Sequence, residues 1–197
     1  EKTETVLKMY VESFPGLDHF VKFLEEGGQD HGINYALLFD ALRLMIYFFK
    51  LQKQPCHAVV SAILAAKRLL YRHLHAGNHQ LMATVIALHT AIASLGRASC
   101  DTVKESFDFS MKPLEKILFM AKKLPNGEHD RTLWSLRQVY VDFILTLLEN
   151  GSYEARESIA KMRSLFNNIF KQLPKDHPVM QRRVLTVLRR SILEEQT

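Results

Sequence analysis

At 197 residues, with 47% hydrophobic and 24% charged residues, the chain has the composition of a folded protein with a sizeable core and not of a disordered one. Its formal net charge of +5 permits an anionic partner without requiring one. The two cysteines, Cys56 and Cys100, are too few for a disulfide framework and lack the spacing of a zinc site.

Helical periodicity recurs along the chain, and no segment has the alternation of a strand. The first half is predicted to form five helices, at 4–13, 17–26, 33–52, 56–75 and 79–95. The core stripe of the third is predicted at Leu37, Ala41, Leu44 and Phe48. On its polar side we expect Asp40 to pair with Arg43 one turn later.

The helix predicted at 79–95 has no charged side chain unless a histidine is protonated. A helix that is apolar or small on nearly all sides belongs between other helices, so we expect it to be the buried centre of the fold. Ala83, Ala87 and Ala91 are placed where a neighbouring helix can approach closely. The uncharged run around this helix is interrupted at Gly77 and Asn78, so no membrane-spanning helix is predicted.

In the second half we expect a short helix at 101–106, one that begins near Pro113, and a long helix from Asp130 to Asn150. Ser152 is predicted to cap the next helix, and the last helix is predicted at 178–195. Between these two, one apolar face is predicted from Met162, Leu165, Phe166, Ile169, Phe170 and Leu173.

The strong breaks at 53–55, 96–100 and 150–152 divide the chain into helix pairs. Their length of roughly 40 residues is the unit size of armadillo and HEAT repeats, whose pairs stack into a solenoid. We therefore predict an all-α chain in which residues 1–197 form a single α-solenoid domain, in preference to a compact helical bundle.

No arrangement of residues in the sequence indicates catalysis. There is no phosphate-binding glycine loop, zinc-protease signature or nucleophile elbow. His73, His75 and His79 are close in sequence, but a helix break separates them, so we predict no metal site. Adjacent Asp–His pairs such as Asp176 and His177 are explained by capping or turn roles of the Asp. We predict no enzyme activity, cofactor or small-molecule substrate.

Basic residues are the one feature that favours a ligand. The last helix carries two arginine pairs, predicted to share the face opposite its apolar one: Arg182, Arg183, Arg189 and Arg190. Arginines spaced along one helix can contact successive phosphates of a nucleic acid. Arg68 and Arg72, with His75, form a smaller candidate patch. The alternative for both patches is a solvated charged face without a ligand.

Four stretches, in this order and spacing, are similar to a known family: Ser106–Leu114, Arg137–Gly151, Leu165–Asp176 and Val184–Leu193. Over residues 56–195 they resemble the N-terminal domain of the nucleolar pre-ribosomal-associated protein 1 family. The resemblance implies a helical-repeat scaffold of the nucleolus that acts in early maturation of the large ribosomal subunit. It implies as partners other assembly factors, including a DEAD-box RNA helicase, and precursor ribosomal RNA. Since the family protein is far longer, it also implies that this chain is its N-terminal part.

The leading hypothesis is therefore a non-catalytic ribosome-assembly scaffold that binds protein partners through solenoid surfaces and pre-ribosomal RNA through basic ones. The alternative is an armadillo or HEAT protein-interaction module, such as a transport adaptor or helicase regulator, with no affinity for RNA. An enzyme is the third hypothesis, and it would require a pocket that gathers several of the scattered His and Asp residues.

Overall fold

The computed structural model describes residues 21–24, 35–51, 59–74, 78–109, 114 and 131–194, with the side chains of 72–74, 131–132 and 191–194 excepted. All regular structure in these ranges is helical. Eight α-helices and one 3-10 helix have defined bounds: α1 (Tyr35–Leu51), α2 (Val59–Leu74), α3 (His79–Ala93), α4 (Arg97–Ser106), α5 (Arg131–Asn150), α6 (Tyr153–Ala160), α7 (Arg163–Gln172), the 3-10 helix Leu173–Lys175, and α8 (Pro178–Glu194). The helix predicted at 4–13 and the start predicted at Pro113 lie outside the described residues. Within the described chain, no helix has the length and apolarity needed to cross a membrane.

Helix α3 is the centre of the fold, as its uncharged sequence predicts. It contacts α1, α2, α4 and α5. Most of its side chains are buried: Leu81, Met82, Val85, Ile86, Leu88, His89, Ala91, Ile92 and Ala93. The Asn78 side chain caps its first turn by accepting a hydrogen bond from the Leu81 amide at 3.1 Å. After its end, Gly96 has a φ of 140°, which side-chain-bearing residues rarely adopt.

Helix α1 packs with a different stripe from the predicted one. Its buried residues are Leu38, Ala41, Leu42, Met45 and Phe49. By contrast, Leu37 is 54% exposed and Leu44 is 55% exposed, so the placement of these two in the core was wrong. Both tracks along α1 are apolar at the same helical spacing, and one residue of offset rotates the buried face by about 100°. The predicted pair of Asp40 and Arg43 is confirmed, at 3.6 Å on the exposed side.

Helix α4 begins at Arg97, four residues before the predicted start at Asp101. The Asp101 carboxylate does not cap its own helix, because it accepts a hydrogen bond from the Ser152 amide at 2.9 Å. Ser152 in turn caps α6, as predicted, by accepting from the Ala155 amide at 3.2 Å. At the preceding Gly151, a Cβ atom would lie 2.7 Å from the Leu147 carbonyl oxygen. The contact between Asp101 and Ser152 therefore links α4 to α6, and position 151 has no room for a side chain.

Helix α7 has a smaller apolar face than predicted. Leu165 and Ile169 are buried, and Met162, Phe166 and Leu173 pack partly buried against the core. Phe170 is 42% exposed, so its assignment to this face was wrong. The buried side instead includes the polar Asn168. Phe170 is five residues after Leu165, about 140° around the helix, so it lies at the edge of the side that Leu165 and Ile169 bury.

Candidate nucleic-acid interface

Helix α8 is attached to α5 by a narrow apolar contact. Val184 and Val187 are buried, and Met180 and Leu188 pack partly buried against the core. The bounds of α8 agree with the predicted helix to within one residue. The same apolar face was predicted from the sequence, so the arginines can be located relative to it.

The four predicted arginines of α8 do not share one face. Arg182 and Arg189 are exposed on its outer side, seven residues apart. Arg183 is half-buried and turned toward α5, and Arg190 follows it seven residues later. Consecutive helix positions differ by about 100°, so each adjacent pair is divided between two directions. The predicted patch is therefore an outer pair, Arg182 and Arg189, and an inner pair, Arg183 and Arg190.

The inner pair is engaged by acidic side chains of α5. Arg183 forms ion pairs with Asp142 at 2.5 Å and with Glu149 at 3.1 Å. Its guanidinium also donates to the Thr146 hydroxyl at 3.4 Å. A nitrogen of Arg190 is 4.0 Å from the other oxygen of Glu149. These contacts occupy Arg183, whereas the side chain of Arg190 remains 69% exposed beside Glu149. The outer pair points away from the α5 carboxylates.

A buried ion pair that the sequence interpretation missed fixes the start of α8. Arg137 of α5 donates two hydrogen bonds to the Asp176 carboxylate, at 3.0 and 2.7 Å, and a third to the Ile169 carbonyl at 3.3 Å. Arg137 is 0% exposed and Asp176 is 4% exposed. Asp176 does end the 3-10 turn, where its backbone amide donates to the Leu173 carbonyl at 3.0 Å, but the turn role leaves out the contact of its carboxylate with Arg137. The sequence does contain one sign of this buried pair, since Arg137 lies next to Leu136 among the apolar positions of α5.

The second predicted patch lies on α2. Arg68 is exposed, whereas the side chain of Arg72 and the whole of His75 lie outside the described residues. The Lys67 ammonium is 6.0 Å from the centre of the Tyr71 ring. The Tyr71 hydroxyl donates to the Asp108 carboxylate at 3.0 Å, and burial followed by this contact raises the pKa of Tyr71. Since α2 packs on α3 and α4 while α8 packs on α5, the two patches belong to different parts of the fold.

Two titratable side chains of the core, His89 and Cys100, are buried among packed residues. His89 is 0% exposed, its Nδ1 donates to the Val85 carbonyl at 2.9 Å, and its ring packs edge-on to Phe107 and Phe143. Burial lowers the pKa of His89 from 6.5 to about 4, with a smaller lowering from Lys67. Burial also raises the pKa of the Cys100 thiol to about 12, so this thiol is not a nucleophile at neutral pH. Cys56 lies outside the described residues.

An open groove lies between α1, α3 and α5. It has a volume of about 300 Å³ and is lined by Arg43, Ile46, Gln80, Ala83, Thr84, Ala87, Ser135 and Val139. Ala83 and Ala87 thus form part of a groove, whereas Ala91 is buried as expected for a close helix contact. In the part of the chain that the structure describes, no three His, Cys, Asp or Glu side chains are grouped to hold a metal ion.

Comparison with known protein families gives a match over most of the chain. The model of the family described as "Npa1: Ribosome 60S biogenesis N-terminal" matches residues 36–197. The match covers α1 from its second residue and begins 20 residues before the resemblance noted in the sequence. Neither a curated protein nor a solved structure matches the chain.

Proposed function

This chain belongs to the Npa1 family, the ribosome 60S biogenesis N-terminal domain, and on that premise we propose that it is a non-catalytic scaffold of nucleolar large-subunit assembly. The family implies a role in 60S ribosome biogenesis, and the match over residues 36–197 is the observation that carries the proposal. Within it, the chain binds other assembly factors, including a DEAD-box RNA helicase, and precursor ribosomal RNA during early maturation.

The scaffold is proposed to be an α-solenoid of the armadillo or HEAT kind that forms a single domain over residues 1–197. The succession of contacts supports stacking, because α3 lies against α1 and α5, and α5 lies against α8. One cluster of buried residues that extends from Val21 to Val187 supports a single domain. Stacked helices of this type have extended surfaces suited to several partners at once.

The RNA contact is assigned to the outer pair of α8. Arg182 and Arg189 are exposed and about 10 Å apart along the helix axis, a separation of seven residues at 1.5 Å each. Guanidinium groups bind phosphates through paired hydrogen bonds, and each contact adds to the salt dependence of binding. The inner pair is the weaker candidate, since Arg183 is occupied by α5 carboxylates.

A filter-binding titration against structured ribosomal RNA tests this assignment. We expect the double variant Arg182→Ala/Arg189→Ala to bind less tightly and to lower the slope of log affinity against log salt by about 1.4–1.8. The charge-matched control is Arg43→Ala/Lys50→Ala on the exposed side of α1, which should leave the slope nearly unchanged. Equal losses in the two variants would contradict a specific contact on α8.

The second candidate function is a protein-interaction module of the same fold that binds no RNA, such as a transport adaptor or helicase regulator. The observation that favours it is the exposed apolar side chains of α2, Val60 and Leu64. Affinity purification of the protein from cells separates the candidates. The scaffold predicts co-purified large-subunit precursors and pre-ribosomal RNA, whereas the alternative predicts protein partners that remain bound after nuclease treatment and no precursor RNA.

A further inference from the structure

The outer side of α2 carries a line of large side chains at regular spacing. Val60 is 54% exposed, Leu64 is 43% exposed and Tyr71 is 39% exposed, with the half-buried Lys67 between the last two. We call Val60, Leu64, Lys67 and Tyr71 the α2 outer stripe. Its spacings of four, three and four residues place these positions along one side of the helix. The same spacing forms the contact seam between two helices in a coiled coil.

The α2 outer stripe is not needed to hold α2 in the fold. The opposite side of the helix is buried through its described length: Val59, Ala62, Ile63, Ala65, Ala66, Leu69 and Leu70. These residues face the core, and α2 contacts α3 and α4. The stripe is thus a second apolar surface on a helix whose core contacts are already complete. Exposed apolar residues that align on one side of a helix can form such an interaction surface, whereas apolar residues exposed singly need no explanation.

The charge around the stripe is positive. No Asp or Glu occurs between Asp40 and Asp101, so α2 itself has no acidic residue. Lys67 lies within the stripe, and the exposed Arg68 follows it on the same turn. Asp108 faces the Tyr71 end, where its carboxylate accepts the Tyr71 hydroxyl. A partner that complements this surface presents apolar side chains to the stripe and carboxylates to its basic margin.

The apolar residues favour a protein helix over RNA. Aliphatic side chains such as Val60 and Leu64 neither stack on bases as aromatic rings do nor bind phosphates. An amphipathic helix, by contrast, docks through apolar anchors at intervals of three and four residues, the spacing that the stripe itself has. The two aliphatic residues occupy the N-terminal half of the stripe, so an RNA strand would bury them without compensation.

We propose that the α2 outer stripe is the docking surface for an amphipathic helix of a protein partner with acidic residues beside its apolar seam. Val60, Leu64 and the Tyr71 ring supply the apolar contacts, and Lys67 pairs with a carboxylate of the partner. This proposal rests on the scaffold function in that it names the class of assembly factor that one surface takes. It assigns the basic charge of α2 to protein recognition and that of the outer pair on α8 to RNA.

The test is a fluorescence-anisotropy titration with designed helical peptides of about 21 residues, three heptads. One labelled peptide has Leu at the seam positions and Glu on both sides of the seam, and its counterpart has Lys in place of each Glu. The purified protein should bind the Glu peptide at least about tenfold more tightly than the Lys peptide. The double variant Val60→Ser/Leu64→Ser should weaken binding of the Glu peptide by about tenfold or more, which is about 1.4 kcal/mol.

The matched control is Leu37→Ser/Leu44→Ser on α1, whose two leucines are 54% and 55% exposed. It should bind the Glu peptide like the parent protein, and circular dichroism should give the same helix content for both double variants. Lys67→Glu should reduce the preference for the Glu peptide. Absent binding, equal binding of the two peptides, or equal losses in the α1 and α2 variants would overturn the proposal, as would displacement of the peptide by ribosomal RNA.

The two proposals fail separately. If the peptide result is negative while the α8 variants still weaken RNA binding, the scaffold function stands and the α2 surface has no helical partner. If the protein co-purifies without large-subunit precursors but binds the Glu peptide through α2, the docking surface stands and the assembly role is lost.

Discussion

Helices α2 and α8 both turn basic residues outward, but they are held in the fold by different forces. Helix α2 buries seven described apolar side chains, from Val59 to Leu70. Helix α8 buries Val184 and Val187 among its described side chains and adds ion pairs from Arg183 to Asp142 and Glu149. Apolar packing holds α2 and leaves its basic residues at the edge of the contact. On α8, by contrast, Arg183 helps to hold the helix against α5.

This difference changes what an arginine-rich helix indicates. Four arginines in α8 suggest a strong phosphate-binding surface, yet Arg183 and Arg190 are directed toward Glu149. Among the described side chains, the exposed apolar residues of α2 line up at spacings of four and seven residues, whereas the exposed Val179 and Leu185 of α8 are six residues apart and do not share one side. The number of basic residues alone would indicate only which helix binds RNA more tightly. The way in which each helix packs on the core indicates two kinds of partner.

The largest effect is expected from breaking the buried pair beneath the start of α8. Arg137→Met leaves the Asp176 carboxylate buried without its partner, so we expect the free energy of unfolding to fall by about 3–5 kcal/mol. Urea unfolding followed by circular dichroism measures the loss. The same substitution at the exposed Arg163 is the control and should change stability by less than about 0.5 kcal/mol.

A double variant distinguishes the charge from the packing. Arg137→Met/Asp176→Leu removes both charges, so most of the lost stability should return. A double variant as unstable as the single one would indicate that Arg137 acts through its other contacts, such as the bond to the Ile169 carbonyl.

Acid should lower the free energy of unfolding through His89 on α3, the helix against which α2 packs. The pKa of His89 is about 4 in the folded chain and 6.5 when it is exposed, so the unfolded chain binds the extra proton between these values. Stability attributable to His89 is therefore complete above pH 6.5 and declines by about 3 kcal/mol as the pH falls to 4. Unfolding curves across this range should be flatter for His89→Gln, whereas His177→Gln, at an exposed site, should keep the parent slope. Equal slopes for His89→Gln and the parent would contradict the buried, neutral His89.

A smaller effect is expected when the inner arginine of α8 is removed. Arg183→Gln breaks the pairs with Asp142 and Glu149, which are partly exposed, so the global loss should be about 0.2–1 kcal/mol. The local effect is easier to detect, because the α8 amides should exchange hydrogen faster while the α2 amides are unchanged. Arg182→Gln on the outer side should leave both helices as they are. Faster exchange in both variants would indicate that outer and inner arginines are not distinct.

The sequence predicts some features of this molecule and not others, for identifiable reasons. The position of α3 was predictable because an uncharged helix has no side suited to water. The buried face of α1 was not, because the Leu37 and Leu38 tracks are both apolar and only the neighbouring helix selects one. Helix geometry alone divides each adjacent pair of α8 arginines between two directions, but which pair meets carboxylates depends on α5 residues at distant positions, such as Glu149. The Arg137–Asp176 pair likewise joins residues 39 apart, beyond the reach of local patterns.

The role proposed for this chain is assembly of the large ribosomal subunit. Its most direct test is depletion of the protein in its own cells, with sucrose-gradient measurement of the ratio of free 60S to 40S subunits. We expect this ratio to fall on depletion and to return with the parent protein, but to return only in part with Arg182→Ala/Arg189→Ala. An unchanged ratio after depletion would contradict the proposed role.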